Sequence, residues 1–257
     1  MKCKPTVKDV FEYINSIAPF EKQCEWDNSG FIVGDINSEI TKIGVVLDIT
    51  NEAVKYASEN GINLIVSHHP VIFRGIKTVT ADDPTYSLIR NGISAICAHT
   101  SLDIAKGGVN DALAEILGFE NATPLSDCGE TEMVRVAEIK PISGEQLAQL
   151  CADKLSTCVS IADSGKIIKK IALCGGAGAD FMHNTATAGC DAYITGEAKH
   201  HEFLEAKAIG LTLISAGHFE TENPVVTVLA NKLKNELNCD VEIIPQKSPV
   251  KYYSKED

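Results

Sequence analysis

The chain has 257 residues and a mass of 27.6 kDa, which accommodates one large domain or two small α/β domains. Hydrophobic residues make up 44% and charged residues 23%, proportions that exclude collagen, coiled coil and extensive disorder. The net charge of −12 disfavours nucleic-acid phosphates and anionic lipid as partners.

Three further features predict a cytoplasmic protein. No apolar run approaches the roughly 20 residues that a membrane span needs, and the amphipathic N-terminus is unlike a signal peptide. The nine cysteines are scattered, without a CxxC pair, and several lie in apolar runs, as Cys97 and Cys174 do. We therefore predict buried, reduced thiols in place of a disulfide framework or a zinc–thiolate cluster.

The first half of the chain alternates apolar runs with helical patterns. Apolar residues at helical spacing after Pro5 predict a helix that stops at Pro19. Strands are predicted at 42–50, 62–67 and 93–98, and helices at 51–60, 84–91 and 108–117. Strands that alternate with helices at this spacing predict a largely parallel α/β sheet.

A polar, turn-rich segment at 119–131 suggests a boundary. Beyond it, strands are predicted at 133–139, 167–174, 191–195, 211–216 and 241–245, and helices at 143–155, 178–188, 198–208 and 224–237. This organisation predicts a first α/β lobe over residues 1–125, completed by 218–257, and a second lobe over 126–217.

Two pairs of segments suggest that the lobes are related. GINLIVSHH at Gly61 shares an outline with GCDAYITGE at Gly189, and NGISAICAHTSLD at Asn91 shares one with IGLTLISAGHFETE at Ile209. Each pair has a glycine or turn, an apolar strand and then polar residues. Strands of unrelated α/β proteins can also look alike, so duplication and coincidence both remain open.

Histidines and carboxylates follow three of the predicted strands. Carboxyl ends of strands are where α/β sheets usually build sites. A mixed nitrogen and oxygen set suits zinc, manganese, iron(II), cobalt or nickel, and this many ligands suits two ions better than one. The alternative is that these residues only cap helices and turns. The candidate ligands are His68, His69, Asp103, His218 and Glu222.

Three other motifs have two interpretations each. The GGAGAD turn at 175–180 is either a tight structural turn or an anion contact, and it does not fit GxGxxG. In TGEAKHHE at 195–202, Glu197, His200 and His201 either support the site or form an exposed first helical turn. The WDNSG loop, with the only tryptophan, Trp26, either lines a pocket or packs a loop.

Taken together, these motifs resemble the NIF3-like family, also called the GTP cyclohydrolase 1 type 2 or dinuclear-metal-centre family. The resemblance covers nearly the whole chain through WDNSGFIVGD, LIVSHHPVIF, AHTSLDIAKGGVNDALAEILG, GGAGAD, YITGEAKHHEF and SAGHFETE. It implies two related α/β lobes with a dinuclear metal site between them. It also implies the same five ligands, and the compact length resembles members that form toroidal homohexamers.

The expected function is a divalent-metal-dependent hydrolase that acts on a small molecule such as GTP or a related nucleotide. Two metal ions per chain would activate water, and the candidate proton carriers are His99, Glu197 and His201. The alternative is a non-catalytic metal-binding, regulatory or scaffold protein that forms a ring. Nucleic acid and membrane are not expected partners.

Overall fold

The computed structural model describes residues 4–126 and 129–253. Its chain divides into two compact units. Within the described residues, the first unit comprises 4–108 and Val225–Gln246, and the second comprises Val109–Pro224 and 247–253. Over the described ranges, no helix has both the length and the apolar character needed to cross a bilayer.

The strands, in chain order, are short and lie in both units. They are β1 (Gly30–Val33), β2 (Lys42–Val46), β3 (Leu64–Ser67), β4 (Ser94–Cys97), β5 (Thr123–Pro124), β6 (Arg135–Ile142), β7 (Ser160–Ala162), β8 (Ile168–Cys174), β9 (Ala192–Thr195), β10 (Thr212–Ser215) and β11 (Asp240–Ile243).

The helices alternate with these strands along most of the chain. They are α1 (Val7–Ile17), α2 (Asn51–Glu59), α3 (Pro84–Asn91), α4 (Thr100–Ile104), α5 (Val109–Leu117), α6 (Gly144–Leu155), α7 (Met182–Thr187), α8 (His200–Ile209), α9 (His218–Glu222) and α10 (Pro224–Glu236), with 3-10 turns at Phe20–Lys22, Glu130–Met133 and Ala179–Phe181.

Local chemistry sets several helix ends. Thr6 and Asp9 form a capping box that begins α1, and the Ser143 side chain caps α6 in the same way. Gly92 ends α3 in a left-handed conformation, with φ of 63°, which an L side chain adopts only with strain.

The sheet of the first unit has the order β1-β4-β3-β2-β11. Strands β4, β3, β2 and β11 are parallel, and β1 pairs antiparallel with β4. One core cluster joins Val46 and Ile65 of the sheet to Val54 of α2 and Leu88 of α3. Burial of each such aliphatic side chain stabilises the unit by about 1.5–3 kcal/mol. This core therefore holds the carboxyl ends of the strands in fixed positions.

The sheet of the second unit has the order β5-β6-β8-β9-β10-β7. Strands β8, β9 and β10 are parallel, while β5, β6 and β7 pair antiparallel with their neighbours. Its core joins Leu113 of α5, Leu147 of α6 and Ile171 of β8. The predicted parallel character therefore holds for the centre of this sheet and not for its margins.

The two sheets share a four-strand arrangement. Each has an antiparallel edge strand (β1 or β7), followed by three parallel strands (β4-β3-β2 or β10-β9-β8). The left-handed glycines that begin the first pair of similar segments also correspond, since Gly61 and Gly189 have φ of 70° and 75°. This agreement supports the duplication interpretation of the sequence over coincidence.

The predicted lobes, 1–125 with 218–257 and 126–217, stay a prediction beside the two compact units of the structure. Helix α5 lies in the second unit because Leu113, Ala114 and Leu117 pack into that unit's core. Residues 218–224 also lie in the second unit, and the return to the first unit begins at Val225.

Three local predictions need correction. The predicted helix 178–188 is a 3-10 turn followed by α7, and residues 218–222, which precede the predicted long helix, form α9 of their own. The prediction that the cysteines are buried is wrong for Cys158, which is exposed, and Cys239 is half-buried; Cys3 and Cys128 lie outside the described residues.

Candidate metal centre

Three histidines lie at the carboxyl ends of adjacent parallel strands in the first unit. His68 and His69 follow β3, and their amides continue the ladder by donating to the carbonyls of Val46 and Leu47. His99 follows β4. One ring nitrogen from each of the three histidines lies within 4.8 Å of the others, so the parallel register collects three imidazoles at one sheet edge.

Hydrogen bonds fix which nitrogen each imidazole presents. Every Nδ1 in this set faces an acceptor oxygen, so a neutral ring carries its proton on Nδ1 and offers the Nε2 lone pair. These bonds are His68 Nδ1 to Ala98 O (2.9 Å), His69 Nδ1 to Asp48 Oδ1 (2.7 Å) and His99 Nδ1 to Asp27 Oδ1 (2.8 Å). Metal-binding histidines are usually oriented in this way.

Asp103 supplies a carboxylate to the same group. It lies on α4, which begins directly after His99, and its Oδ1 is 3.7 Å from His68 Nε2. Both side chains are largely buried. A buried histidine and carboxylate with nitrogen and oxygen lone pairs at this separation form a donor set that could hold a metal ion.

Asp27 is the buried support of His99, and sequence reasoning did not identify it. Its side chain is fully buried and accepts bonds from the Ser29 hydroxyl (2.9 Å) and the Thr100 amide (3.0 Å). Burial alone would raise the pKa of Asp27, but hydrogen bonding and charge attraction from His99, with bonds from Thr100, outweigh it and hold this pKa well below the usual carboxyl value. Asp27 therefore stays ionised and orients the imidazole.

His218 and Glu222 form a pair in the second unit. They lie four residues apart on α9, and His218 Nε2 is 3.0 Å from Glu222 Oε2. Glu197, at the end of β9, places Oε1 3.1 Å from His218 Nδ1. The carboxylate of Glu197 thus orients the His218 imidazole. His218 Nε2 and the buried Glu222 carboxylate are adjacent and form a second pair of candidate ligand groups.

The GGAGAD turn makes room for Glu222. Gly176 has φ of 61°, and its amide donates to Thr221 Oγ1 (3.1 Å). A Cβ on Gly176 would overlap Glu222 Oε1 and lie 3.3 Å from His218 Nε2. This turn therefore packs directly against the His218–Glu222 pair and helps to position it.

A cavity of about 450 Å³ adjoins Glu197 in the second unit. Its lining includes Asp180, Lys199, Ser215 and Tyr252. His201 is not in this lining, and its side chain is 70% exposed, with Nε2 3.9 Å from Glu202. The proposed proton-carrier role of His201 stays a prediction. Among the residues that the structure describes, Glu202 is the acidic side chain that pairs with it.

The fold and these side chains define a class: a two-unit α/β protein with histidine and carboxylate groups that could hold metal ions at its strand ends. The family model described as Duf34/NIF3 (NGG1p interacting factor 3) matches residues 5–249. The chain belongs to this family.

Known relatives agree over almost the full length. A Clostridium perfringens protein named GTP cyclohydrolase 1 type 2 homolog is 35% identical over 251 residues, 94% of this chain and 96% of its own. A Staphylococcus aureus hypothetical protein has a crystal structure with a TM-score of 0.88 at 28% identity, covering 98% of this chain and all of that one. The structure of reduced HcgD from Methanocaldococcus jannaschii has a TM-score of 0.82 at 30% identity, covering 93% of this chain and 98% of that one.

Proposed function

We propose that this chain is a divalent-metal-dependent hydrolase that binds two metal ions through His68, His69, Asp103, His218 and Glu222. The observation that carries the proposal is that the Nδ1 atoms of His68 and His69 both contact acceptor oxygens, which orients these two rings to present Nε2 as a ligand atom. Because the donors are nitrogens and oxygens, they fit zinc, manganese, iron, cobalt or nickel.

Bound ions of this kind lower the pKa of water and polarise a substrate oxygen. The chain's own contribution is to orient ligands and to move protons. His99 suits the second task, because Asp27 fixes its Nδ1 and stabilises the imidazolium that forms when Nε2 accepts a proton. Glu197 is a positioning residue in this scheme, since its carboxylate holds His218.

The proposed substrate class is a nucleotide such as GTP. The support is the name of the Clostridium perfringens relative, GTP cyclohydrolase 1 type 2 homolog. Such a reaction adds water to a carbon of the purine imidazole ring and opens that ring. We also propose a cytoplasmic homohexamer, for which the family resemblance is the support, and light scattering would measure its mass.

The test is metal content per chain by inductively coupled plasma mass spectrometry, on protein purified without a chelator or a histidine tag. We expect about two transition ions per chain, lost in His68→Ala together with nucleotide turnover. His183→Ala is the matched control, because its imidazole is 58% exposed and pairs with Glu205. Turnover that persists in a metal-free variant would overturn the mechanism.

A further inference from the structure

Two exposed aromatic rings stand beside His99 in the first unit. Trp26 is 55% exposed and Phe73 is 42% exposed, and their ring centroids are 5.8 Å apart. Each ring also lies 6.0 Å from the His99 imidazole, at interplanar angles of 73° and 79°. Adjacent exposed rings at the margin of a polar site are typical of ligand recognition.

Neighbouring side chains anchor the two loops that carry the rings. Asp27, next to Trp26, has a fully buried side chain. The Asn28 side-chain amide donates to the carbonyl of Ile72 (2.6 Å), the residue before Phe73. The loops that carry the two rings are therefore tied to each other, so the aromatic surface is preformed and needs little ordering when a ligand binds.

The sequence around Phe73 is more basic than the chain as a whole, while Trp26 is flanked by Glu25 and Asp27. Residues 70–80 contain Arg74 and Lys77, both exposed, and no aspartate or glutamate. The whole chain has a net charge of −12. An exposed ring with two cations close in sequence fits a ligand that has an aromatic part and an anionic part.

We propose that Trp26 and Phe73 bind the purine ring of a nucleotide by stacking, and that Arg74 and Lys77 attract its phosphates. The inference rests on the proposed function, because it names the side chains that recognise the substrate of the same site. Stacking depends on ring area and tolerates different base edges, so it favours purines over pyrimidines and separates guanine poorly from adenine.

Trp26 is the only tryptophan of the chain, so its fluorescence reports this surface directly. The experiment titrates the purified protein with guanosine 5′-monophosphate and follows emission, with free tryptophan as the correction for absorbed light. Ribose 5-phosphate is the matched probe, since it keeps the phosphate and lacks the base. We expect saturable quenching by the nucleotide and none by the sugar phosphate.

Two variants test the assignment. Phe73→Leu keeps the reporter and should weaken nucleotide binding roughly tenfold. Tyr253→Leu removes another ring, 90% exposed, and should leave binding unchanged. Equal quenching by both probes, or unchanged affinity in Phe73→Leu, would overturn the inference. A change in oligomeric mass with unchanged affinity would assign the rings to contacts between copies of the chain.

The result separates this inference from the proposed function. Quenching that persists in a protein without metal or turnover would retain the stacking surface and overturn the hydrolase. Metal binding and turnover without quenching would support the hydrolase proposal and overturn the proposal that Trp26 and Phe73 stack on the base.

Discussion

Replacing Gly176 with alanine should displace the Glu222 carboxylate although no candidate ligand is itself substituted. The added Cβ would overlap Glu222 Oε1, and the Glu222 side chain is buried, with little room to move aside. The carboxylate would have to rotate away from His218 Nε2, which is now 3.0 Å from it.

Two free-energy terms follow from the geometry. A left-handed φ of 61° costs an L residue about 1–2 kcal/mol. Loss of a hydrogen-bonding contact to a charged group costs about a further 1.5–3 kcal/mol. Misplacing a group that supports or forms a metal site typically lowers metal affinity by about 10–100-fold, or roughly 1.4–2.8 kcal/mol.

Gly189→Ala is the matched control, because Gly189 has φ of 75° and its added Cβ would meet no described atom within 4 Å. Urea unfolding should show a loss of about 1–2 kcal/mol from backbone strain in both variants, with the further contact term in Gly176→Ala only. Only Gly176→Ala should lose metal affinity, measured by competition with a chromogenic chelator. Equal metal affinity in the two variants would refute the claim that this turn positions Glu222.

Three further predictions concern other described groups. Asp27→Asn should lower the free energy of unfolding by about 2–4 kcal/mol near neutral pH, measured by urea titration without metal. That difference should shrink below about pH 4. A carboxyl group whose pKa is lowered in the folded state contributes its full stability above the pKa of the unfolded chain, and this contribution is lost as the pH falls towards the folded pKa. Asp48→Ala should lower metal affinity about tenfold by freeing His69 Nδ1, measured by calorimetry, with little change in stability because Asp48 is 42% exposed. Cys158 should react with maleimide in the native protein well before Cys151, whose burial raises its pKa to about 12, as peptide mass spectrometry would show.

Each of these has an outcome that contradicts it. An Asp27 effect that stays constant from neutral pH to pH 3 or below would mean that the buried charge does not stabilise the fold. Metal affinity unchanged in Asp48→Ala would remove its role in orienting His69. Equal labelling of the two cysteines would place Cys151 on the surface.

Sequence patterning predicted the elements that carry their own local signals. Helix α3 lies where Pro84 and Gly92 bound it, and α1 and α6 follow from their capping residues and apolar spacing. Strands β1 and β7 were missed because they are edge strands that are only partly buried, so they lack the continuous buried apolar run that marks β3 and β4.

The candidate ligands were accessible to sequence reasoning because they directly follow an apolar strand or lie on a short helix that comes soon after one. The residues that orient them were not. Asp27 lies 72 residues before His99, and Asp48 lies 21 residues before His69, so their contacts depend on the order of strands in the sheet. Asp48 could have been found by ending the second strand at Val46, which places it at the same sheet edge as His69.

The return of the chain to the first unit has a consequence for synthesis on the ribosome. Strand β11, at Asp240–Ile243, is the last to join the first sheet and covers the edge of β2. Until about 240 residues have emerged, β2 presents open backbone groups to other nascent chains. Translation that stalls within the second unit should therefore leave an incomplete first sheet, in which the unpaired edge of β2 can pair with other chains.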